Sequence, residues 1–159
     1  MRYDSRMGML ERKIPPLLLT VVAFGAVLAV RWLFPRLSVV FPGQVFASAA
    51  LAGVGMVFLF GAAWQFRRSR TTFNPVTPER ATALVSTGIY AYTRNPMYLG
   101  MALLLSAAVV CFGSFPGMLV VAGFCAYLTR FQIEPEERAM LGLFGARYQD
   151  YMARVRRWI

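Results

Sequence analysis

Histidine is absent from all 159 residues. That removes both the usual general base near neutral pH and the commonest metal ligand. Cysteine is almost absent as well. Cys111 and Cys125 both fall inside long apolar runs, so neither a disulfide framework nor a zinc site is indicated, and no metal is expected. Acidic residues are scarce, 7 against 17 Lys and Arg, for a net charge of +10. In a soluble domain that excess would suggest nucleic acid. A soluble domain is what the composition excludes. The chain is 58% hydrophobic with a mean hydropathy of +0.53, and its apolar residues are grouped instead of being interleaved with covering charge. The arginines read as juxtamembrane anchors that hold topology and attract anionic lipid heads. Membrane lipids are the expected surroundings and nucleic acid is not an expected partner.

Four apolar runs are present: Pro15–Phe34, Gln44–Phe66, Met97–Phe112 and Phe115–Ile133. A bilayer core of about 30 Å takes roughly 20 apolar residues per helix. The first two runs reach that length outright, while the last two are shorter. Gly113-Ser114-Phe115-Pro116-Gly117 between them is a tight turn, so Met97–Ile133 reads as a helical hairpin that crosses and returns. The basic N-terminal stretch, Met1–Lys13, is like the first part of a signal peptide, but no small-residue cleavage site follows it and the run is a full span. Basic residues then set the orientation. Arg2, Arg6, Arg12 and Lys13 precede the first run; Arg67, Arg68, Arg70, Arg80 and Arg94 separate the second from the third; Arg138, Arg147, Arg154, Arg156 and Arg157 lie in the tail. Only Arg31 and Arg36 fall on the other side. The expected fold is all-α: a single integral membrane domain over 1–159 with about four transmembrane helices, the last two a hairpin, plus a C-terminal amphipathic helix, and both termini in the cytoplasm.

The polar information sits in three segments, within about 67–159. In the first, Thr77-Pro78-Glu79-Arg80 reads as a helix start with proline at the first position, and a short helix to about Val85 is expected. In the second, Asn95-Pro96 opens the third long helix, asparagine capping and proline taking the position whose N–H has no partner anyway. The positive end of that helix then lies near Arg94, a place suited to a carboxylate. The plainer alternative has Arg94 reaching lipid phosphate while Tyr90, Tyr92 and Tyr98 form an interfacial belt. In the third, Leu141, Phe144, Tyr148, Tyr151, Val155 and Trp158 recur at steps of three and four and give one apolar stripe.

Spacing sorts the acidic residues. Glu134 has Arg138 four residues on, and Asp150 has Arg154, so both read as structural pairs. Glu136 and Glu137 have Met140 and Leu141 at that distance. Glu137 also falls on the apolar stripe, where a carboxylate is costly unless it binds something. The competing reading is that acids in a first turn only complement the helix dipole.

Gly88-x-Tyr90-x-x-x-Arg94-Asn95-Pro96-x-Tyr98-x-Gly100 resembles the G-x-Y-x-x-x-R-H-P-x-Y-x-G signature of the isoprenylcysteine carboxyl methyltransferase and phospholipid methyltransferase superfamily. Glu136-Glu137, Phe144-Gly145-x-x-Tyr148-x-x-Tyr151 and Val155-x-Arg157-Trp158 are similar to its second signature. The resemblance implies S-adenosylmethionine as cofactor, held between the ends of the last membrane helices and the C-terminal segment. By motif position, Tyr90, Arg94, Asn95, Pro96 and Tyr98 would line the cofactor side, while Glu136 and Glu137 would bind its polar groups. Arg94 and Glu137 are the catalytic candidates. Asn95 replaces the histidine, and Ile89 a proline, found in many members. Gly53-Val54-Gly55 is faintly similar to a family glycine pair, although small residues in membrane helices usually serve close packing.

The chemistry agrees with the resemblance. Methyl transfer from a sulfonium is an in-line displacement in which positioning and charge placement do most of the work. A carboxylate acceptor is already nucleophilic at pH 7 and could be held by Arg94, whereas an amine must first lose a proton in a chain without histidine. The sequence therefore points to a methyltransferase acting at the cytoplasmic face on a lipophilic small-molecule or lipid-linked acceptor, a carboxylate ahead of a phospholipid amine or a thiol. Two readings of other classes stand beside it. One is an NADPH-dependent membrane reductase, against which the paired glutamates argue because they repel a 2′-phosphate. The other is a non-enzymatic scaffold.

Overall fold

The computed structural model describes residues 11, 13–68 and 84–159. Arg2, Arg6, Arg12, Arg70, Arg80 and the short helix expected after Thr77 lie outside the described residues. Those that are described form helices, with one isolated bridge between Ser38 and Ser114. Helix α1 is Pro16–Leu33 and α2 is Gln44–Arg68. Helix α3 is Pro96–Cys111. Helix α4, Gly117–Leu128, runs without a break through a π-helical turn, Thr129–Ile133, into α5, Glu134–Phe144. Helix α6 is Ala146–Arg154.

Proline and glycine place most of these boundaries. Proline begins α1 and α3, where its missing N–H costs nothing. Gly113, at φ +60°, turns the chain between α3 and α4, and its carbonyl accepts from Val39 N at 2.9 Å. The helical hairpin is therefore present. Its second arm, expected as one crossing over Phe115–Ile133, instead widens into the π-helical turn before α5. The C-terminal amphipathic segment is likewise two helices. Gly145, at φ +51°, breaks it, and α6 folds back so that Tyr148, Tyr151 and Val155 are buried against Leu84, Met140, Leu141 and Phe144. The spacing of the stripe continues across the glycine, but the rod does not.

Helix α3 is the centre of the bundle. One side packs along the length of α2, where Gly55 and Gly100 face each other: a Cβ on Gly100 would lie 2.7 Å from the Gly55 carbonyl oxygen and 2.8 Å from Leu59. Gly100 thus serves backbone approach, and so does Gly55, while a Cβ on Gly53 would meet nothing within 4 Å. The other side, through Tyr98, Met101, Ala102, Leu105 and Val109, packs with Ala23 and Val27 of α1 and with Val121, Phe124 and Leu128 of α4. The outer faces of α1 and α2 stay apolar and open, with Leu17, Val21, Trp32, Val57, Phe60 and Trp64 all more than half exposed. Two helices, Pro16–Leu33 and Gln44–Gln65, have the length and mean hydropathy, 2.0 and 2.1, to cross a membrane. With their uncovered apolar faces they mark a membrane protein.

Candidate functional site

The polar residues converge where α3 begins and α4 passes into α5. Gly88, at φ +61°, lies against the Gln65 side chain of α2, where a Cβ would come within 2.9 Å of Oε1. The 3₁₀ turn that it starts, Gly88–Ala91, carries Tyr90 inward against Ala62 and Val85. Tyr90 and Tyr98 are 6% and 3% exposed and Tyr92 is 77%, so of the three only Tyr92 fits an interfacial belt. Arg94 is not reaching outward either: its side chain is 8% exposed.

Asn95 occupies the cap position of α3, with Pro96 buried behind it, yet the asparagine side chain does not cap the helix. Its Nδ2 donates instead to the Arg157 carbonyl at 2.9 Å. Thr93 Oγ1 donates to the same oxygen at 3.3 Å, and Arg94 N donates to the Arg156 carbonyl at 3.0 Å. Trp158 Nε1 reaches Thr129 Oγ1 in the π-helical turn at 3.2 Å. After α6 the chain thus becomes a strap laid along residues 93–95 and fastened to the α4–α5 rod. The capping expected of Asn95 gives way to the strap, whose Arg157 carbonyl accepts from both Asn95 and Thr93.

The strap delivers Arg157 to Glu137. Arg157 donates through Nε to Oε1 at 3.2 Å and through Nη2 to Oε2 at 2.7 Å, while Arg94 Nη2 lies 2.9 Å from Oε1. Glu137 is 6% exposed, and two guanidiniums offset the cost of burying its charge. The carboxylate held by Arg94 is therefore the chain's own. Arg94 Nε remains buried with no hydrogen-bond partner among the described residues. The local pairs expected from spacing are replaced. Glu134 pairs backwards with Arg130 at 2.9 Å and lies 3.8 Å from Arg157, and Arg138 pairs with Glu11 at 2.7 Å. Arg154 Nε donates to the backbone carbonyl of Asp150 at 3.2 Å and not to its carboxylate. Glu134 thus keeps a helical partner, but one turn back, while Arg138 takes a tertiary partner and Arg154 a backbone one.

Glu136 accepts from the Tyr98 hydroxyl at 2.6 Å, a short, charge-assisted bond. Tyr151 donates to the Tyr90 carbonyl at 2.7 Å, and the rings of Tyr148 and Tyr151 lie 5.9 Å apart. Burial pushes the phenols of Tyr90, Tyr148 and Tyr151 well above the ordinary value of 10.0. Tyr151 and Glu136 add to that rise at Tyr90, and Glu137 adds to it at Tyr148. Arg94 opposes it at Tyr148 and Tyr151. These three tyrosines are neutral hydroxyl groups near pH 7, able to donate but not to act as bases. The Arg157 guanidinium is held above its ordinary value, first by its hydrogen bond to Glu137.

Every candidate residue from the sequence, Tyr90, Arg94, Asn95, Pro96, Tyr98, Glu136 and Glu137, lies at this one end. Three residues not singled out as candidates join them: Arg157, Tyr148 and Tyr151. The apolar stripe and the second signature contained the two tyrosines, but nothing in local spacing joined Arg157 to Glu137, 20 residues away. Among the described residues no cluster of histidine, cysteine or carboxylate side chains could hold a metal ion.

A family model described as phospholipid methyltransferase matches residues 44–147, from the start of α2 into α6. An uncharacterized protein of Haemophilus influenzae is 36% identical to this chain over 63 residues, which is 40% of this chain and the whole of that protein.

Proposed function

The chain belongs to the phospholipid methyltransferase family, and we propose that it is an S-adenosylmethionine-dependent methyltransferase acting at the cytoplasmic membrane face on a lipophilic acceptor. Membership carries the methyltransferase activity and the membrane setting. The observation that supports the finer reading is Arg94, nine-tenths buried, paired on one nitrogen and with its Nε unpartnered among the described residues. A buried donor of that kind suits an anionic oxygen.

The residues at this end fit the cofactor. Bound there, it would supply an electrophilic methyl group on a sulfonium. Tyr90, Tyr98, Tyr148 and Tyr151 bring to this end aromatic rings of a kind suited to a cation. Glu136, already oriented by Tyr98, is placed to accept from ribose hydroxyls or an amino group. Arg94 Nε is the donor for a carboxylate, and Glu137 keeps the guanidinium plane in place. With no histidine and with neutral tyrosines, a base would have to be a glutamate or water. That favours an acceptor that is nucleophilic without losing a proton, so we read the acceptor as a lipophilic carboxylate. The name of the matching family favours a second reading, a phospholipid amine. Product analysis with a prenylated carboxylate and with phosphatidylethanolamine separates the two.

In this reading α3 and α4 with its π-helical turn complete four crossings, and the arginine-rich segments face the cytoplasm. A lipophilic acceptor would arrive sideways from the bilayer, between helices. The test is binding of S-adenosylmethionine and S-adenosylhomocysteine to the detergent-purified chain, with NADPH in parallel. Saturable binding of both sulfur ligands that weakens in Glu137→Ala is the expected result. A stable, folded sample that binds neither would overturn the proposal, and NADPH binding would move the reductase reading ahead.

A further inference from the structure

Two arginines meet Glu137, and they do so differently. Arg157 presents a fork, with Nε on one carboxylate oxygen and Nη2 on the other, at 3.2 and 2.7 Å. Arg94 touches Oε1 through Nη2, at 2.9 Å, and its buried Nε has no partner among the described residues. A guanidinium facing an unengaged carboxylate tends to take both oxygens through two parallel N–H bonds. Glu137 can offer that arrangement fully to one partner. Were Arg157 absent, a small pivot of the Glu137 carboxylate would let Arg94 close the fork itself and consume its Nε.

We propose that Arg157 is a positioning residue: by holding both oxygens of Glu137 it confines Arg94 to a one-point contact and keeps Arg94 Nε free for a carboxylate oxygen of a bound ligand. The strap fixes Arg157 for this task. Its carbonyl is taken by Asn95 and Thr93, the preceding carbonyl by Arg94 N, and the following side chain by Thr129. Its guanidinium is one-third exposed, so without those ties it would be free to leave for solvent. Asn95, where many family members carry histidine, thereby acts on the site through the Arg157 backbone and not as a capping group.

The inference rests on the polar end being the ligand site, and the experiment separates the two. S-adenosylhomocysteine is titrated into the full-length protein in detergent, and oleate, a lipid carboxylate, into the protein saturated with it. Wild type is compared with Arg157→Ala, Glu137→Gln and the double variant. Arg157→Ala should weaken whichever ligand places its carboxylate on Arg94 by about tenfold. In the double variant the competing carboxylate is gone, so affinity should return to that of Glu137→Gln alone. Arg157→Lys, a one-point donor, should fall between wild type and Arg157→Ala. Unchanged affinity for both ligands in Arg157→Ala, or losses that simply add in the double variant, would overturn the proposal.

If Arg157→Ala does not fold, the wild type decides. The ¹⁵N resonance of Arg94 Nε, identified by its disappearance in Arg94→Lys, should move on saturation with one of the two ligands. Saturable binding that leaves it in place overturns the positioning role. Folded wild type that binds neither ligand removes the ligand-site reading, and this inference falls with it.

Discussion

Helix α3 is closed by different chemistry at its two ends. At its C-terminal end the closing groups are neutral. Gln44 Nε2 donates to the carbonyls of Val110 and Cys111, both at 2.8 Å, Phe41 N returns a bond to Gln44 Oε1, and Val39 N takes the Gly113 carbonyl. One amide satisfies two of the carbonyls that every helix leaves over, and no charge is buried in doing so. At the N-terminal end, three glutamates and three arginines are gathered within ion-pair distance of one another or of a tyrosine hydroxyl. Stability alone does not call for the second arrangement, because buried ion pairs rarely improve on apolar packing. The neutral end shows what closing this helix needs, and the surplus at the charged end is what the proposed site accounts for.

Substitutions at each end test that division. The largest effect is expected from Arg94→Ala, which should lower turnover per folded molecule by about a hundredfold or more and destabilise the fold by about 3–5 kcal/mol, because Glu137 loses a buried partner. Methyl-transfer rates measured beside thermal unfolding in detergent give both quantities, and full turnover would remove Arg94 from the site. Gln44→Ala should cost about 1–3 kcal/mol of stability through the unmet carbonyls and leave turnover per folded molecule near that of wild type. A rate loss as large as that of Arg94→Ala would erase the distinction between the ends.

The smallest effect concerns pH. The buried tyrosines have folded-state values raised above the unfolded 10.0. Below pH 10 both states are protonated and their contribution is fully present. As pH rises past 10 the unfolded chain loses phenolic protons that the folded chain keeps, so stability falls. Unfolding midpoints should therefore be flat in this respect up to pH 10 and decline above it, less steeply in Tyr151→Phe. A decline that begins well below pH 10 would assign the sensitivity to other groups.

How much of each end was readable follows from the range of the interactions. The runs Pro15–Phe34, Gln44–Phe66 and Met97–Phe112 lie within two residues of α1, α2 and α3 at every boundary, because hydrophobic length, proline and glycine act locally. The close approach at Gly55 follows from the same local logic. Partner choice does not. Helical spacing joined Glu134 to Arg138, whereas Glu134 pairs one turn back with Arg130, and folding brought Arg157 from the strap towards Glu134 and Glu11 from the other end of the chain to Arg138. The cost of a carboxylate on an apolar stripe marked Glu137 as needing a partner, and the partners found are the chain's own Arg94 and Arg157. What it bound depended on a chain reversal at Gly145 that a continuous stripe concealed. The side chain of Asn95 was misjudged for the same reason: a cap is the nearest partner in sequence, and the strap is nearer in space.

The π-helical turn at Thr129–Ile133 has a consequence for how the chain can change over generations. Such a turn holds about one residue more than an α-helix of the same length, so everything beyond it is rotated by roughly one residue's step, ~100°. A single-residue deletion inside 129–133 would straighten the rod and still aim Glu137 at Arg94. Straightening without a deletion would bring Glu136 round to that bearing in place of Glu137. Two adjacent glutamates make this one of the few places in the molecule where a slip in register exchanges one carboxylate for another and does not remove the charge.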